Sequence, residues 1–162
     1  MGTLPVHPRR AGAAVLPFDL VAAAAPAARA PKRELLLRVR DLEARALRSG
    51  TTCAVACMQD ERFLTPWTRE VYRTLAARGA TVLMYARGLR AYVDEGVAGV
   101  ELDDDDPLVD EWTVVFEGED PVCLAARDLR GPDALGERSF EYAMTRDPAV
   151  VRQVAASLGV AH

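Results

Sequence analysis

The chain has 162 residues, of which 50% are hydrophobic, enough for one globular domain with a sizeable core and a tail. No apolar run approaches the roughly 20 residues that a membrane-spanning helix requires. Residues 1–33 contribute +4 (five basic residues and one acid), so the remainder carries −8 within an overall net charge of −4. An acidic globular part argues against a nucleic-acid groove on the folded domain and against a membrane surface as its partner.

The cysteines and the N-terminal composition indicate a cytoplasmic protein. Three cysteines are an odd number for a disulfide framework. Cys53 and Cys57 are separated by three residues rather than two, which disfavours a zinc ribbon or a thioredoxin-type motif. We therefore interpret all three as reduced thiols. The stretch Leu20–Ala28 is short, rich in alanine and broken by Pro26, which makes it a poor secretory signal.

In chain order, the predicted elements begin after a tail. Residues 1–31 contain five prolines and many alanines without sustained periodicity, which predicts a disordered or low-complexity segment. From Lys32, apolar residues recur at helical spacing as far as Leu47 and predict an amphipathic helix. Thr65-Pro66 and Asp147-Pro148 each place an N-cap residue before a proline, which predicts that a helix starts at each of them.

Short apolar runs between these helices predict a mixed β-sheet. The predicted strands are Thr51–Cys57, Thr81–Ala86, Val97–Leu102, Trp112–Glu117, Val122–Leu129 and Phe140–Met144. The fourth and fifth strands flank a polar turn and are expected to form an antiparallel hairpin. The alternation of helix and strand predicts one α/β domain over residues 32–160, with a mixed sheet of about five to six strands and flanking helices.

The inventory of catalytic residues is sparse, so we expect no enzymatic activity. The only histidines are His7, in the predicted tail, and His162, the last residue, which excludes a histidine base or relay inside the fold. No lysine follows Lys32, and there is no glycine-rich phosphate loop. These absences argue against several common enzyme classes, and we assign no catalytic residues.

The acidic run Asp103–Asp106, followed by Asp110 and Glu111, is a candidate cation site. Carboxylates suit Ca²⁺ or Mg²⁺, but the run lacks the EF-hand spacing, and consecutive carboxylates do not all converge on one ion. We favour a solvated loop in which Asp106 caps a short helical turn that starts at Pro107. We therefore assign no metal ligand, and a metal-dependent enzyme that uses these acids is the weakest of three functional hypotheses.

Four residues are candidates for ligand binding. Gln59 and Arg62 lie just beyond the first predicted strand, and ligands of open α/β sheets usually bind beyond the ends of strands. Phe63 precedes a predicted helix cap, where it either packs as a hydrophobic staple or lines a ligand cavity. Trp112, which has the polar Glu111 beside it, is the fourth candidate. The sequence does not identify the ligand or a cofactor.

The order of several short motifs resembles that of a known domain. In chain order they are Arg40-Asp41-Leu42-Glu43, Met58-Gln59-Asp60-Glu61-Arg62-Phe63, Tyr72-Arg73-Thr74-Leu75-Ala76, Val82-Leu83-Met84-Tyr85-Ala86-Arg87-Gly88, Asp106-Pro107-Leu108-Val109-Asp110-Glu111-Trp112, Leu124-Ala125-Ala126-Arg127-Asp128-Leu129 and Phe140-Glu141-Tyr142-Ala143-Met144-Thr145-Arg146-Asp147. Together they resemble the DICT domain, named for its occurrence in diguanylate cyclases and two-component systems, over about residues 32–159. The family usually has serine before the arginine aligned with Arg40, whereas this chain has Val39.

The resemblance implies a bacterial sensory input domain that regulates a signalling output. Relatives are attached to diguanylate cyclases, histidine kinases or MerR-type DNA-binding heads, and the family supplies no ligand or catalytic residues to carry over. Our first hypothesis is therefore a stand-alone sensory domain, or a fragment of a longer protein, that responds to a small ligand or a partner. The alternative is an interaction module without a small ligand, which docks to a kinase or transcription regulator. The amphipathic helix over Lys32–Ser49 is expected to carry the signal and to pair with its copy in a homodimer.

Overall fold

A computed structural model describes residues 15–132 and 137–161 of the chain, and in these residues helices flank both faces of one sheet. The helices are α1 (Pro17–Ala22), α2 (Lys32–Arg48), α3 (Pro66–Ala77) and α4 (Pro148–Ser157). The strands are β1 (Ala28–Pro31), β2 (Thr51–Asp60), β3 (Thr81–Arg87), β4 (Tyr92–Asp94), β5 (Val97–Glu101), β6 (Glu111–Gly118), β7 (Val122–Pro132) and β8 (Arg138–Thr145). Short 3₁₀ helices span Glu61–Phe63 and Pro107–Asp110.

The sheet is mixed, with the strand order β1-β8-β7-β6-β2-β3-β5-β4. β2, β3 and β5 are parallel neighbours, whereas all the other pairs are antiparallel. β2 and β3 form a parallel pair joined by α3, and the predicted hairpin is confirmed in β6 and β7. The mixed α/β class is therefore correct.

The number of strands was underestimated, because the described part of the sheet contains eight strands rather than five to six. The two that the sequence does not reveal, β1 and β4, are the two edge strands and have only four and three residues. β1 consists of Ala, Arg, Ala and Pro, which have little intrinsic preference for strands. It is held by antiparallel pairing with β8, a contact between distant parts of the chain that no local pattern encodes.

The segment predicted as a disordered tail contains both β1 and α1. In α1, Phe18 and Val21 are 5% and 0% exposed and pack in the core of the protein. The Glu111 carboxylate accepts a hydrogen bond of 3.0 Å from the backbone N–H of Phe18, so a residue of the sheet satisfies a free donor at the start of the helix. The expectation of disorder is thus wrong for residues 17–22 and 28–31, while residues 1–14 lie outside the described residues.

Alternation of side chains along the strands gives the sheet two apolar faces. One core contains the inner faces of α2 and α3, where Leu35, Val39 and Tyr72 are buried against the sheet. The other core contains α1 and α4, and its strand residues are the neighbours in sequence of those in the first. The result is a three-layer arrangement in which α2 and α3 cover one face and α1 and α4 cover the other.

The helix starts agree with the predicted caps. The side chains of Thr65, Asp106 and Asp147 each accept a hydrogen bond from a backbone N–H in the first turn of the helix that follows, and a proline follows each of them. None of the helices in the described ranges combines the length and apolar character that crossing a bilayer requires.

Candidate functional site

The candidate site is a cavity of about 150 Å³ between α2 and the sheet, which we call the α2 cavity. It lies where β2 ends and the chain turns into the 3₁₀ helix Glu61–Phe63. Along α2, Leu36 lies four residues after Lys32 and three before Val39, and Arg40 lies eight after Lys32. Residues at these spacings share one face of a helix. The lining residues are Lys32, Leu36, Val39, Arg40, Glu43, Ala56, Cys57, Met58, Gln59, Arg62, Phe63, Thr65, Thr68, Tyr72, Trp112, Val114, Arg138 and Phe140.

All four residues that the sequence suggested for ligand binding lie around this cavity. Gln59 lies at the end of β2, Arg62 and Phe63 lie in the turn after it, and Trp112 lies near the start of β6. β2 and β6 are antiparallel neighbours, which places the end of one beside the start of the other. Trp112 packs edge-to-face on Phe140 with 5.7 Å between ring centroids.

Gln59 adopts a backbone conformation that side-chain-bearing residues rarely take. Its φ of 71° lies in the left-handed region, and the pairing register of β2 with β3 shifts between Cys57 and Asp60. For a residue other than glycine this conformation costs about 1 kcal/mol or more. The bulge turns the Gln59 side chain, which is 6% exposed, into a polar network at the cavity.

That network joins Gln59 to Arg138 and Asp128. The Gln59 side-chain oxygen accepts a hydrogen bond of 2.8 Å from Arg138, and its side-chain nitrogen donates one of 3.4 Å to Asp128. Arg138 also forms an ion pair with Asp128. Burial acts to raise the pKa of Asp128, but the hydrogen bond and charge of Arg138, the backbone N–H of Arg130 and Gln59 outweigh it and lower the pKa. Asp128 is therefore held as a carboxylate that fixes the Arg138 guanidinium at the cavity.

Three cations surround the Phe63 ring, and we call Lys32, Arg62 and Arg138 the cation cluster. The Lys32 ammonium lies 4.5 Å from the ring centroid, and the guanidinium carbons of Arg62 and Arg138 lie 5.0 and 5.5 Å from it. Phe63 thus holds three positive groups close together through cation–π contacts. Burial, followed by the charges of Arg138 and Arg62, lowers the pKa of Lys32.

The inner end of the cavity contains a buried acid. Glu43 is 2% exposed, and its carboxylate accepts a hydrogen bond of 3.4 Å from the Trp67 indole N–H. Burial raises the pKa of Glu43 to about 7, although interactions with Tyr72 and Trp67 and the charge of Arg40 act to lower it. Tyr72 is fully buried, and its hydroxyl has no hydrogen-bond partner of standard geometry among the described residues.

Three residues of the site, Glu43, Tyr72 and Arg138, are not among those that the sequence suggested. Glu43 follows Val39 by four residues and Leu35 by eight, so it falls on the apolar face of α2, and an acid at such a position was a usable signal. Arg138 falls between the fifth and sixth predicted strands, but in the structure it starts β8. Its place beside Gln59 depends on the order of strands, which the sequence does not reveal.

The acidic run does not form a common site. Asp106 caps the 3₁₀ helix, Asp110 forms an ion pair with Arg130, and Glu111 is buried beneath α1. No group of three or more His, Cys, Asp or Glu side chains within the described ranges is arranged to hold a metal ion. Each of these carboxylates has a structural partner, which is the interpretation that the sequence favoured for Asp106.

Comparison with known proteins relates the chain to others by its fold. Its sequence matches no protein-family model and no curated protein. Among solved structures it is similar to a crystal structure of polyphosphate kinase from Porphyromonas gingivalis, with a TM-score of 0.51 and 16% identity over 94% of this chain. The chain spans 29% of that kinase's length. At this identity the similarity shows that the fold of this chain also occurs within a larger protein.

Proposed function

We propose that this chain is a non-catalytic sensory or regulatory domain of bacterial signal transduction that binds a small ligand in the α2 cavity. The observation that carries the proposal is the polar pair at the inner end of the cavity, where Glu43 is buried and the Tyr72 hydroxyl, which interacts with Glu43, makes no hydrogen bond of standard geometry with the described residues. A buried hydroxyl without a hydrogen bond is costly in a protein interior. A ligand that enters the cavity can supply this hydroxyl with a hydrogen bond of standard geometry.

The resemblance to the DICT domain supports a sensory role. Two of the segments on which it rests, residues 58–63 and 106–112, contribute all four of the sequence-predicted site residues to the cavity. Position 39, where this chain departs from the usual serine, also lines it. α2 borders the cavity along its inner face and presents its other face to solvent, so a ligand that changes the packing of α2 can alter the exposed surface of this helix.

The state of the cysteines supports a cytoplasmic location. Cys53, Cys57 and Cys123 are buried thiols that form no disulfide bond in the described ranges. Burial raises the pKa of the Cys53 thiol to about 12 and, with the nearby Glu111, raises that of Cys123 well above its ordinary value. Such thiols are unreactive and are typical of proteins in a reducing compartment.

Native mass spectrometry of the full chain, purified from its own host, tests the ligand-binding role. We expect a mass excess over the denatured protein that disappears when the cavity is blocked by Ala56→Leu, because Ala56 lines the cavity from the centre of β2. Ala125→Leu, in the core on the other face of the sheet, is the matched control. An apo mass for the wild type, with no change in the unfolding temperature on adding host metabolites, would contradict the proposal.

A second candidate is an interaction module that acts through a copy of itself. Leu37 on α2 is 68% exposed and Trp67 on α3 is 44% exposed, and both belong to the helical layer that covers the cavity. We propose that the partner is a second copy of the chain, which pairs through α2. Light scattering is expected to give a dimer mass for the wild type and a monomer mass for Leu37→Glu. A monomer mass for both at high concentration would exclude this pairing.

A further inference from the structure

The charges at the exposed end of the α2 cavity indicate the kind of ligand. The cation cluster brings three positive groups within 5.5 Å of one ring centroid. Arg138 is paired with Asp128, but Lys32 and Arg62 form no ion pair in the described ranges. The charges of Arg138 and Arg62 act, after burial, to lower the pKa of Lys32, so its ammonium is repelled by both guanidinium groups. A bound anion would relieve this repulsion and accept charge-assisted hydrogen bonds.

The inner end of the α2 cavity favours a different chemical group on the ligand. Lys32 and Glu43 are eleven residues apart on one helix, about 16 Å along its axis. Between them the cavity is bordered by apolar side chains, among them Val39, Val114 and Phe140. A ligand that extends from the cation cluster into the cavity therefore has an apolar body, and a hydroxyl or amino group at its inner end would point towards the Tyr72 hydroxyl and the Glu43 carboxyl.

The volume restricts the size of the apolar body. A cavity of about 150 Å³ in a protein core accommodates benzene, and the α2 cavity has this volume. Pockets for drug-sized ligands are larger, about 300–1,000 Å³. One ring, or an aliphatic chain of similar volume, fits within the cavity, and its charged group remains near the exposed end.

Building on the ligand-binding role above, we propose that the ligand is a small organic anion whose carboxylate or phosphate is bound by the cation cluster and whose ring-sized body extends into the cavity towards Tyr72 and Glu43. Arg62 and Lys32 bind the anion directly. Arg138, which Asp128 and Gln59 hold in place, presents a fixed guanidinium to it. The strained backbone of Gln59 thereby acquires a role, since it positions the side chain that orients Arg138.

Calorimetric titration of the full chain with a size-matched panel tests the charge of the ligand. The probes are para-hydroxybenzoate, benzoate and phenyl phosphate as anions, para-hydroxybenzamide as the neutral analogue and benzylamine as the cation. We expect saturable binding of the anions, and at least about tenfold weaker binding of the amide, because it lacks the charge that the cluster recognises. Tighter binding of phenyl phosphate than of benzoate identifies a phosphate ligand, and the reverse order a carboxylate.

Matched arginine variants test the location of the anion. Arg62→Met is expected to weaken binding of para-hydroxybenzoate by about tenfold and to leave the amide unaffected. Arg152→Met, which removes an exposed arginine of α4 on the opposite side of the sheet, is expected to change neither. Thermal unfolding checks that both variants fold. Lys32→Met gives a second measurement of the same effect.

The outcomes separate this inference from the ligand-binding role itself. Equal affinity for the acid and the amide, preference for benzylamine, or no binding by any anion would each overturn the anionic class. If native mass spectrometry then reveals a bound neutral or cationic molecule, the ligand-binding role survives. An apo mass, combined with anion binding that Arg62→Met does not weaken, would overturn both.

Discussion

Glu43 connects the folding of this chain to the chemistry of its cavity. It is an acid on the buried face of α2, and the groups around it are Arg40 on its own helix and Trp67 and Tyr72 on α3. Burial raises its pKa from 4.5 to about 7, so the folded state binds its proton more tightly than the unfolded chain does. The stability that this proton contributes is fully present below about pH 4.5 and is lost as the pH rises through 7.

Glu43→Gln is therefore expected to stabilise the protein at alkaline pH. Glutamine keeps the side-chain oxygen that accepts the Trp67 hydrogen bond, but it cannot ionise. A shift of this size corresponds to about 3 kcal/mol, so the free energy of unfolding of the variant should exceed that of the wild type by up to that amount at pH 8 and match it near pH 4.5. Urea denaturation between these pH values measures the difference.

Asp41→Asn provides the control for this prediction. Asp41 is an exposed carboxylate two residues before Glu43 on the same helix. Its replacement changes the charge of α2 without touching the cavity, so the variant should keep the pH dependence of the wild type. A Glu43→Gln protein whose stability follows the same pH curve as the wild type would show that Glu43 is not the titrating group.

At the scale of the element, α1 shows how a short segment is fixed by a distant residue. A helix of six residues has little stability of its own. Here the Glu111 carboxylate accepts hydrogen bonds from the Phe18 backbone N–H at 3.0 Å and from the Thr113 hydroxyl at 3.4 Å. Phe18 and Val21 then bury their side chains against the sheet. The helix therefore depends on the sheet for both its cap and its core.

Glu111→Ala is expected to loosen α1 and to destabilise the protein by about 1–3 kcal/mol, since it leaves a buried N–H without an acceptor. Hydrogen exchange should become faster in residues 17–22, whereas anion binding should persist, because the α2 cavity lies on the other face of the sheet. Asp110→Ala is the neighbouring control. It removes an ion pair with Arg130 that is partly exposed to solvent, and such pairs contribute at most about 1 kcal/mol. Equal destabilisation by both variants would contradict the capping role.

At the scale of the molecule, the sequence predicts the central strands well and the edges of the sheet poorly. Each of the six predicted strands contributes buried residues to the cores, because apolar runs bounded by turns are a local signal. β1 and β4 form only when longer strands offer them a partner. Part of the candidate site was predictable for a similar reason. Gln59, Arg62 and Phe63 follow a predicted strand, whereas Arg138 and Tyr72 meet them only through the strand order and the packing of α3.

The two faces of the sheet differ in packing, and one substitution made on each face tests this difference. Ala56 borders the α2 cavity, and Ala125 is fully buried in the opposite core. Ala56→Val adds two methyl groups where there is empty volume, so we expect the free energy of unfolding to increase by about 0.5–2 kcal/mol and binding of para-hydroxybenzoate to weaken. Ala125→Val adds the same atoms to a filled core and should cost about 1–3 kcal/mol.

Chemical denaturation and calorimetric titration of both variants measure this pair of effects. The opposite signs follow from one physical quantity, the free volume beside each alanine, because both residues lie in the interior of the same sheet. A gain in stability accompanied by a loss of anion binding would show that the cavity is kept open at the expense of stability, as a binding site requires. Destabilisation of similar size by both substitutions would mean that the face beneath α2 is as tightly packed as the other and holds no ligand.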